Sequence, residues 1–347
     1  MRLSHELMTL SLRRPFASNR GVITSVRHVI VRLAYDGRVG LGTAVVAHDR
    51  AGVEGIRAEL DDYAPRLAHL TPEQALAELG GVTPSARAAI DVALHDLVGK
   101  LCDVPLHRLW GVPAPTRPTA ISIGELPEED RLARARELAD WPILKLKLTA
   151  SSDVGIVGKL RAFYAGRIWI DGNGAWSPEQ AVMIAEELDR HGVELLEQPI
   201  RAGSLDALRF VHERSPVPIV ADEDCVGPSD VARLAGCVDA INIKLVKCGG
   251  LTRAREMIGA ARRLGLRVML GCKTESALGV TAMAQLAGLA DYLDLDGALE
   301  LADDPFSGVT IDRGTLALPT GPGLGVVERL DEPATVPSRP SRVRLTA

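Results

Sequence analysis

The sequence predicts a closed parallel α/β barrel preceded by an α+β segment, and three observations carry that prediction. Between about 119 and 296, eight short apolar runs alternate with amphipathic helical stretches; such alternation marks parallel βα units, and eight units close into a barrel. The first 110 residues have a different texture, with alternating strand patterns followed by helical ones. After about 305, short strand patterns and Gly/Pro turns return.

Taken in order, residues 1 to about 50 read as an antiparallel meander, with alternation in Val29-Ile-Val-Arg-Leu-Ala-Tyr35 and a turn signal at Asp36-Gly37. Pro15-Phe-Ala-Ser-Asn-Arg-Gly21 is expected to break the first hairpin with a loop. From 52 to 110 apolar positions recur at three and four, most clearly over Ser85–Gly99, so this stretch is helical. The Pro-rich Pro113–Pro118 ends it. The barrel strands are then Thr119–Gly124, Ile143–Thr149, Arg167–Asn173, Val193–Gln198, Pro218–Asp222, Val238–Lys244, Leu266–Gly271 and Tyr292–Asp296. Ser177-Pro178 supplies an N-cap and a first-turn proline for one intervening helix. Gly40-Leu-Gly42 and Gly321-Pro-Gly-Leu-Gly325 lack the strand, turn and helix context of a dinucleotide fingerprint and read as turns. The expected division is 1–115 for the α+β segment, 116–304 for the barrel, and 305–347 for a tail that rejoins the first segment.

An apolar fraction of 46%, 24% charged residues and a formal net charge of -5 describe an ordinary globular enzyme and offer no basic face for nucleic acid. No run approaches the roughly 20 apolar residues of a membrane span, and the N-terminal residues lack a signal-peptide core. Five cysteines without a CxxC pair argue against a disulfide scaffold or a zinc site. A cytoplasmic enzyme acting on a small molecule is expected, with neither nucleic acid nor membrane as partner.

Active sites of such barrels lie at the C-terminal ends of the strands. There the third, fourth and fifth runs end in Asp171, Glu197 and Asp222. Three carboxylates in one mouth repel unless a cation joins them, and an all-oxygen set favours Mg2+ or Mn2+ over zinc. Asp171-Gly-Asn-Gly is no EF-hand, because Ala175 stands where an oxygen ligand is needed. Lys145 and Lys147 interrupt the second run two residues apart and so share a face. Burial and a like-charged neighbour both lower a lysine pKa, which makes a usable base. Lys244 ends the sixth run, across the barrel. A substrate on the metal would meet one lysine on each face, which suits removing a proton from one side of a carbon and returning it from the other.

Lys-X-Lys on the second strand, Asp, Glu and Asp on the third to fifth, and Asn-Ile-Lys with a following Gly249-Gly250 on the sixth resemble the enolase superfamily, specifically its muconate-lactonising subgroup, over essentially the whole chain. That resemblance implies a modified TIM barrel, (β/α)7β, with a capping domain built from both termini. It implies Mg2+ held by Asp171, Glu197 and Asp222, with Lys147 and Lys244 as the acid/base pair and Lys145 tuning Lys147. Asn173, Glu223, Lys247 and Glu275 are expected around the mouth as supporting residues.

Asp294 and Asp296 share one face of the last strand, and this Asp-X-Asp resembles the feature by which dipeptide epimerases hold a free α-ammonium. The seventh strand's end, Val268–Ser276, has no histidine, unlike the sugar-acid dehydratases. The expected reaction is epimerisation at the α-carbon of the C-terminal residue of a dipeptide. The alternatives are N-acylamino acid racemisation, o-succinylbenzoate synthesis or muconate cycloisomerisation and, outside catalysis, a metal-binding or ligand-binding barrel. Arg20 and Lys273 are the candidate cations for an acidic dipeptide side chain. Barrels of this kind often assemble, so a homo-oligomer is expected.

Overall fold

The computed structural model describes residues 1–18, 21–46 and 52–329. The chain opens with an antiparallel sheet of β1 (Arg2–Ser18), β2 (Gly21–Tyr35) and β3 (Arg38–Val45). Asp36 and Gly37, both at positive φ, join β2 to β3 as the sequence signalled. Of the stretch Pro15–Gly21 expected as a loop, the described residues Pro15–Ser18 and Gly21 are strand. A register shift between Ser11 and Phe16 absorbs Pro15 as a bulge, and pairing resumes at Phe16 with Ile23 and continues to Ser18 with Gly21. Helices α1 (Gly52–Leu67), α2 (Pro72–Glu78), α3 (Pro84–Leu101) and α4 (Leu106–Leu109) follow.

Val29, Val31 and Leu33 pack one face of β2 against Ile56, Leu60, Ile90 and Leu94 of α1 and α3. Ile30, on the opposite face, joins the barrel core. Gly40 and Gly42, expected in a turn, lie inside β3. A Cβ at either would come within 2.1 Å of Ala93 O or 2.0 Å of Ala89 O, so glycine is what lets α3 lie directly on the strand.

The barrel has β4 (Ile121–Ile123), α5 (Glu128–Glu137), β5 (Ile143–Lys147), α6 (Ile156–Arg161), β6 (Arg167–Asp171), α7 (Pro178–Arg190), β7 (Leu195–Glu197), α8 (Leu205–His212), β8 (Ile219–Ala221) and α9 (Pro228–Leu234). It continues through β9 (Ala240–Ile243), the short α10 (Leu245–Cys248), α11 (Leu251–Arg263), β10 (Arg267–Gly271), α12 (Ala277–Ala284) and β11 (Tyr292–Asp294). All eight predicted strands are present, parallel and in sequential order. A backbone bond from Ala120 N to Leu293 O, 2.8 Å, closes the ring between first and last. Seven helical connections and a final strand make a (β/α)7β barrel. On α7, Ser177 and Gln180 form a reciprocal capping box.

One side chain from each strand fills the bottom of the lumen: Ala120, Ile143, Trp169, Leu195, Val220, Ala240, Met269 and Tyr292. The last elements, β12 (Phe306–Ser307), β13 (Thr310–Asp312), β14 (Thr315–Ala317) and β15 (Val327–Glu328), form two short antiparallel pairs, the β13–β14 hairpin and β12 with β15. Gly314 O accepts from Thr119 N beneath the barrel, while Leu324 N donates to Asp96 on α3 and Glu328 pairs with Arg32 on β2. Among the described residues no helix is long and apolar enough to cross a membrane.

Candidate active site

The filled bottom layer dictates what stands above it, because side chains two apart on a strand share a face. Two residues on from that layer are Ser122, Lys145, Asp171, Glu197, Asp222, Asn242, Gly271 and Asp294. Except at Ser122 and Gly271, this layer is charged or amide-bearing. Two residues further come Lys147, Asn173, Lys244, Lys273 and Asp296. Lumen packing below thus becomes an ionic mouth above, within two pleats.

Lys145 is 2% exposed. Its Nζ lies 2.6 Å from Glu197, 2.7 Å from Asp294 and 3.5 Å from Asp171. Lys147 Nζ donates to Asp171 at 2.8 Å and to Asn173 Oδ1 at 3.2 Å. Lys244 Nζ donates to Asp222 Oδ2 at 2.7 Å, and Lys247 Nζ lies 2.5 Å from Asp222 Oδ1. Asn242, whose place beside Lys244 in an apolar run was a usable signal, donates to Glu197 Oε1 at 2.8 Å. Gly271 has no side chain because a Cβ there would sit 2.4 Å from Asn242 Oδ1 and 2.9 Å from Lys244 Cε. Gln198, also unanticipated, accepts from Asp222 N at 3.0 Å. Asn173 and Gln198 hold φ of 43° and 37°, backbone strain of the kind that collects at sites fixed by their surroundings.

Charge sets the protonation states. Burial disfavours the Asp171 and Asp222 carboxylates, but Lys147 and Lys145 overcome it at Asp171, as Lys244 and Lys247 do at Asp222, so both stay below the usual carboxylate range. Glu197 is buried beside Asp171 and rises to about 7 despite Lys145. Burial alone would lower Lys145, as the sequence led one to expect, and it acts the same way on Lys244. Asp294 and Glu197 outweigh it at Lys145, and Asp222 and Glu197 at Lys244, so both lysines are raised instead. The expected depression is therefore corrected for Lys145, because its ammonium touches carboxylates.

Asp171, Glu197 and Asp222 are buried, carry only oxygen donors, and come from adjacent strands, a donor chemistry that suits Mg2+. Each of the three has an oxygen on an ammonium group, and among the described residues no three His, Cys, Asp or Glu side chains converge on one metal point. The positive charge this trio requires is supplied by lysine in this arrangement.

A cavity of about 510 Å³ opens above. The barrel contributes Lys145, Lys147, Asn173, Asp222, Lys244, Cys272, Lys273, Asp294 and Asp296 to its lining. The cap contributes Thr9, Phe16, Ile23, Ser25, Val26 and Arg27, none of which the sequence singled out. Arg20 lies outside the described residues. Asp296 Oδ2 accepts from Ser122 N at 2.6 Å, and burial together with Asp294 pushes its carboxyl up to about 7. Asp294 Oδ1 is buried and accepts no hydrogen bond. Glu223 reaches Asn173 Nδ2 at 3.4 Å.

Glu275 accepts from Lys273 N at 3.1 Å and is pushed by burial to about 7. A carboxyl raised on folding contributes stability that is fully present below its unfolded pKa, near 4.5, and lost as pH rises through about 7. Glu275→Gln should therefore flatten the decline between pH 5 and pH 8, gaining roughly 1–3 kcal/mol over wild type at the upper end. Urea unfolding at both pH values checks this; parallel profiles would show that Glu275 does not titrate there.

Two family models match the chain: the mandelate racemase/muconate lactonizing enzyme N-terminal domain over residues 5–111, and the enolase C-terminal domain-like model over 129–332. An L-Ala-D/L-amino acid epimerase of a Maribacter species is 36% identical over 337 residues, covering 94% of this chain and 99% of that protein. The structure of a substrate-liganded complex of the L-Ala-D/L-Glu epimerase from Bacillus subtilis matches with a TM-score of 0.89 at 28% identity, covering 94% of this chain and 98% of that one. A dipeptide epimerase from Methylococcus capsulatus, complexed with Mg and the dipeptide L-Arg-D-Lys, matches with a TM-score of 0.84 at 32% identity, covering 94% and 98%.

Proposed function

Since the chain belongs to the mandelate racemase/muconate lactonizing enzyme family, we propose that its site inverts the α-carbon of the C-terminal residue of a dipeptide. It is an Mg2+-dependent dipeptide epimerase. The observation that carries the substrate choice is Asp294 Oδ1, a buried carboxylate oxygen at the cavity with no hydrogen bond. A dipeptide's α-ammonium is the group that satisfies it, and the charge also stabilises ionised Asp296.

Asp171, Glu197 and Asp222 would hold the metal, taking it in exchange for their lysine partners. Mg2+ supplies the positive charge that stabilises the substrate carboxylate as its α-proton leaves. Lys147 and Lys244, on the second and sixth of eight strands, then face opposite sides of that carbon. One lysine, as a neutral amine, takes the proton onto Nζ while the other, as an ammonium, delivers its own to the opposite face. Lys145 keeps Glu197 and Asp294 compensated throughout. Asn173, Lys247 and Glu223 orient Lys147, Asp222 and Asn173 in turn.

The cap wall of Phe16, Ile23 and Val26, with Arg27 beside it, surrounds the substrate side chains, and Lys273 offers a cation for an acidic one. The cap over a barrel of 116–304 is built from 1–115 and, among the described residues of the tail, from 305–329. A cytoplasmic setting is supported by five free cysteines, and assembly of several copies rests on the family resemblance alone.

Incubation in D2O with Mg2+ should place deuterium at the C-terminal α-carbon of L,L-dipeptides. N-acetylation of the same dipeptide, which removes the ammonium, should slow exchange roughly 10- to 100-fold. Equal rates with and without the acetyl group would sink the assignment of Asp294 and Asp296 and favour N-acylamino acid racemisation.

A further inference from the structure

The cap helix α3 is apolar and buried, yet it carries a polar stripe, Arg87, Asp91 and His95, four residues apart and therefore on one face. All three are buried, Asp91 completely. They reach the turn that follows the sixth barrel strand. Arg87 Nη1 donates to Gly249 O at 2.6 Å, Asp91 Oδ1 accepts from Thr252 N at 3.1 Å, and His95 Nε2 lies 2.9 Å from Thr252 Oγ1.

The turn is shaped to fit them. Gly249 and Gly250 hold φ of +89° and +111°, and a Cβ on Gly250 would stand 2.4 Å from Asp91 Oδ1. Asp91 sits over the first turn of α11, where its charge complements the exposed N–H groups. Only the four residues of α10 separate this turn from Lys244, and backbone bonds from Cys248 N to Lys244 O, 3.0 Å, and from Gly249 N to Leu245 O, 2.9 Å, keep the link stiff. By contrast, Lys147 leads into a loop held within the barrel itself, where Ser152 Oγ joins Thr149 N to Glu125.

We propose that the Arg87, Asp91 and His95 stripe is a positioning device by which the cap fixes Lys244, and only Lys244, against the substrate. The inference rests on the two-lysine reaction proposed above. Asp91 touches no substrate; it acts by holding the α10–α11 turn, so its loss lets one proton-transfer group drift while the other stays in place. A displacement near 1 Å costs on the order of a hundredfold in rate.

The test measures α-proton exchange in D2O with Mg2+, starting separately from an L,L-dipeptide and its L,D epimer, for wild type, Asp91→Ala, Asp91→Asn, Arg87→Gln and Lys244→Ala. Asp91→Ala should slow exchange roughly 10- to 100-fold for one epimer, the same one that Lys244→Ala silences, and leave the other unchanged. Asp91→Asn keeps an oxygen for Thr252 N and should recover most of the loss. The epimer that still exchanges reports a folded site in the same sample. If Asp91→Ala yields no folded protein, Arg87→Gln, which removes the bonds to Gly249 O and Leu79 O and the pairing with Asp91 but keeps the Asp91 bond to Thr252 N, should show the same one-sided loss. Equal slowing of both epimers, or of neither, would overturn the inference and leave the reaction standing. Wild-type protein that exchanges no dipeptide would overturn the reaction and this inference with it.

Discussion

Lys244→Ala should stop interconversion of the two epimers while leaving hydrogen exchange alive for one of them, and Lys147→Ala should do the same for the other. Each lysine ends up against a different member of the carboxylate trio, Lys147 on Asp171 and Lys244 on Asp222, four strands apart in an eight-stranded ring. Full inversion needs a proton taken on one side and returned on the other, so it fails when either group is missing. Positioned acid/base groups contribute roughly 10²–10⁴-fold, and epimerisation should fall by at least that factor in each variant. Proton NMR in D2O, followed from each pure epimer, reads exchange and inversion together. Retention of inversion in either alanine variant would remove that lysine from the mechanism. Loss of exchange from both epimers in both variants would instead mean that each transfer needs both lysines.

Much of the fold was legible because the sequence repeats one physical statement. A parallel strand covered on both faces is an apolar run, and each barrel run is interrupted only where it reaches the mouth. The same pleat rule that paired Lys145 with Lys147 also reaches Ser122, Asn242 and Gly271, each two residues above a packed lumen position. Ser122 and Gly271 escaped notice, and Asn242 was read only as part of the Asn-Ile-Lys motif, because a single amide, hydroxyl or glycine in a strand has many ordinary explanations and only the neighbouring strands give it a role. Asn242 needed Glu197 at 2.8 Å beside it to become part of the site. Gly40 and Gly42 show the converse: composition says turn, and only α3 lying on β3 says close approach. The Phe16, Ile23 and Arg27 wall was beyond reach because it depends on where the β1–β2 hairpin lands over the barrel, a contact between segments far apart in the chain. Lysine protonation was misjudged for a related reason. Burial and a like-charged neighbour are local and readable, whereas Asp294 facing Lys145 from 149 residues away is not.

That long-range pairing makes Lys145 the residue whose loss should most damage the fold. Its ammonium is the shared partner of Glu197 and Asp294, with Asp171 within 3.5 Å. Lys145→Met fills similar space without charge and strands acidic groups in the lumen. Breaking a buried ion pair by deleting one partner costs about 3–5 kcal/mol, and the variant should lose stability of that order at alkaline pH. The pH dependence distinguishes charge from packing. Glu197 is already raised to about 7 with Lys145 present, so without it the carboxyl must rise further. Stability from a raised carboxyl is retained below its unfolded pKa and lost as pH climbs through the folded one, so the variant's deficit should be largest near pH 8.5 and shrink toward pH 5.5. Mg2+ should narrow the gap at pH 8.5, because a cation on Asp171, Glu197 and Asp222 compensates two of the three acidic groups left exposed to one another. Urea unfolding at the two pH values, with and without Mg2+, reads all of this in one series. A deficit that is the same at both pH values would mean that Lys145 matters as volume and not as charge, and the view of the mouth as a balanced set of ammonium and carboxylate groups would fail with it.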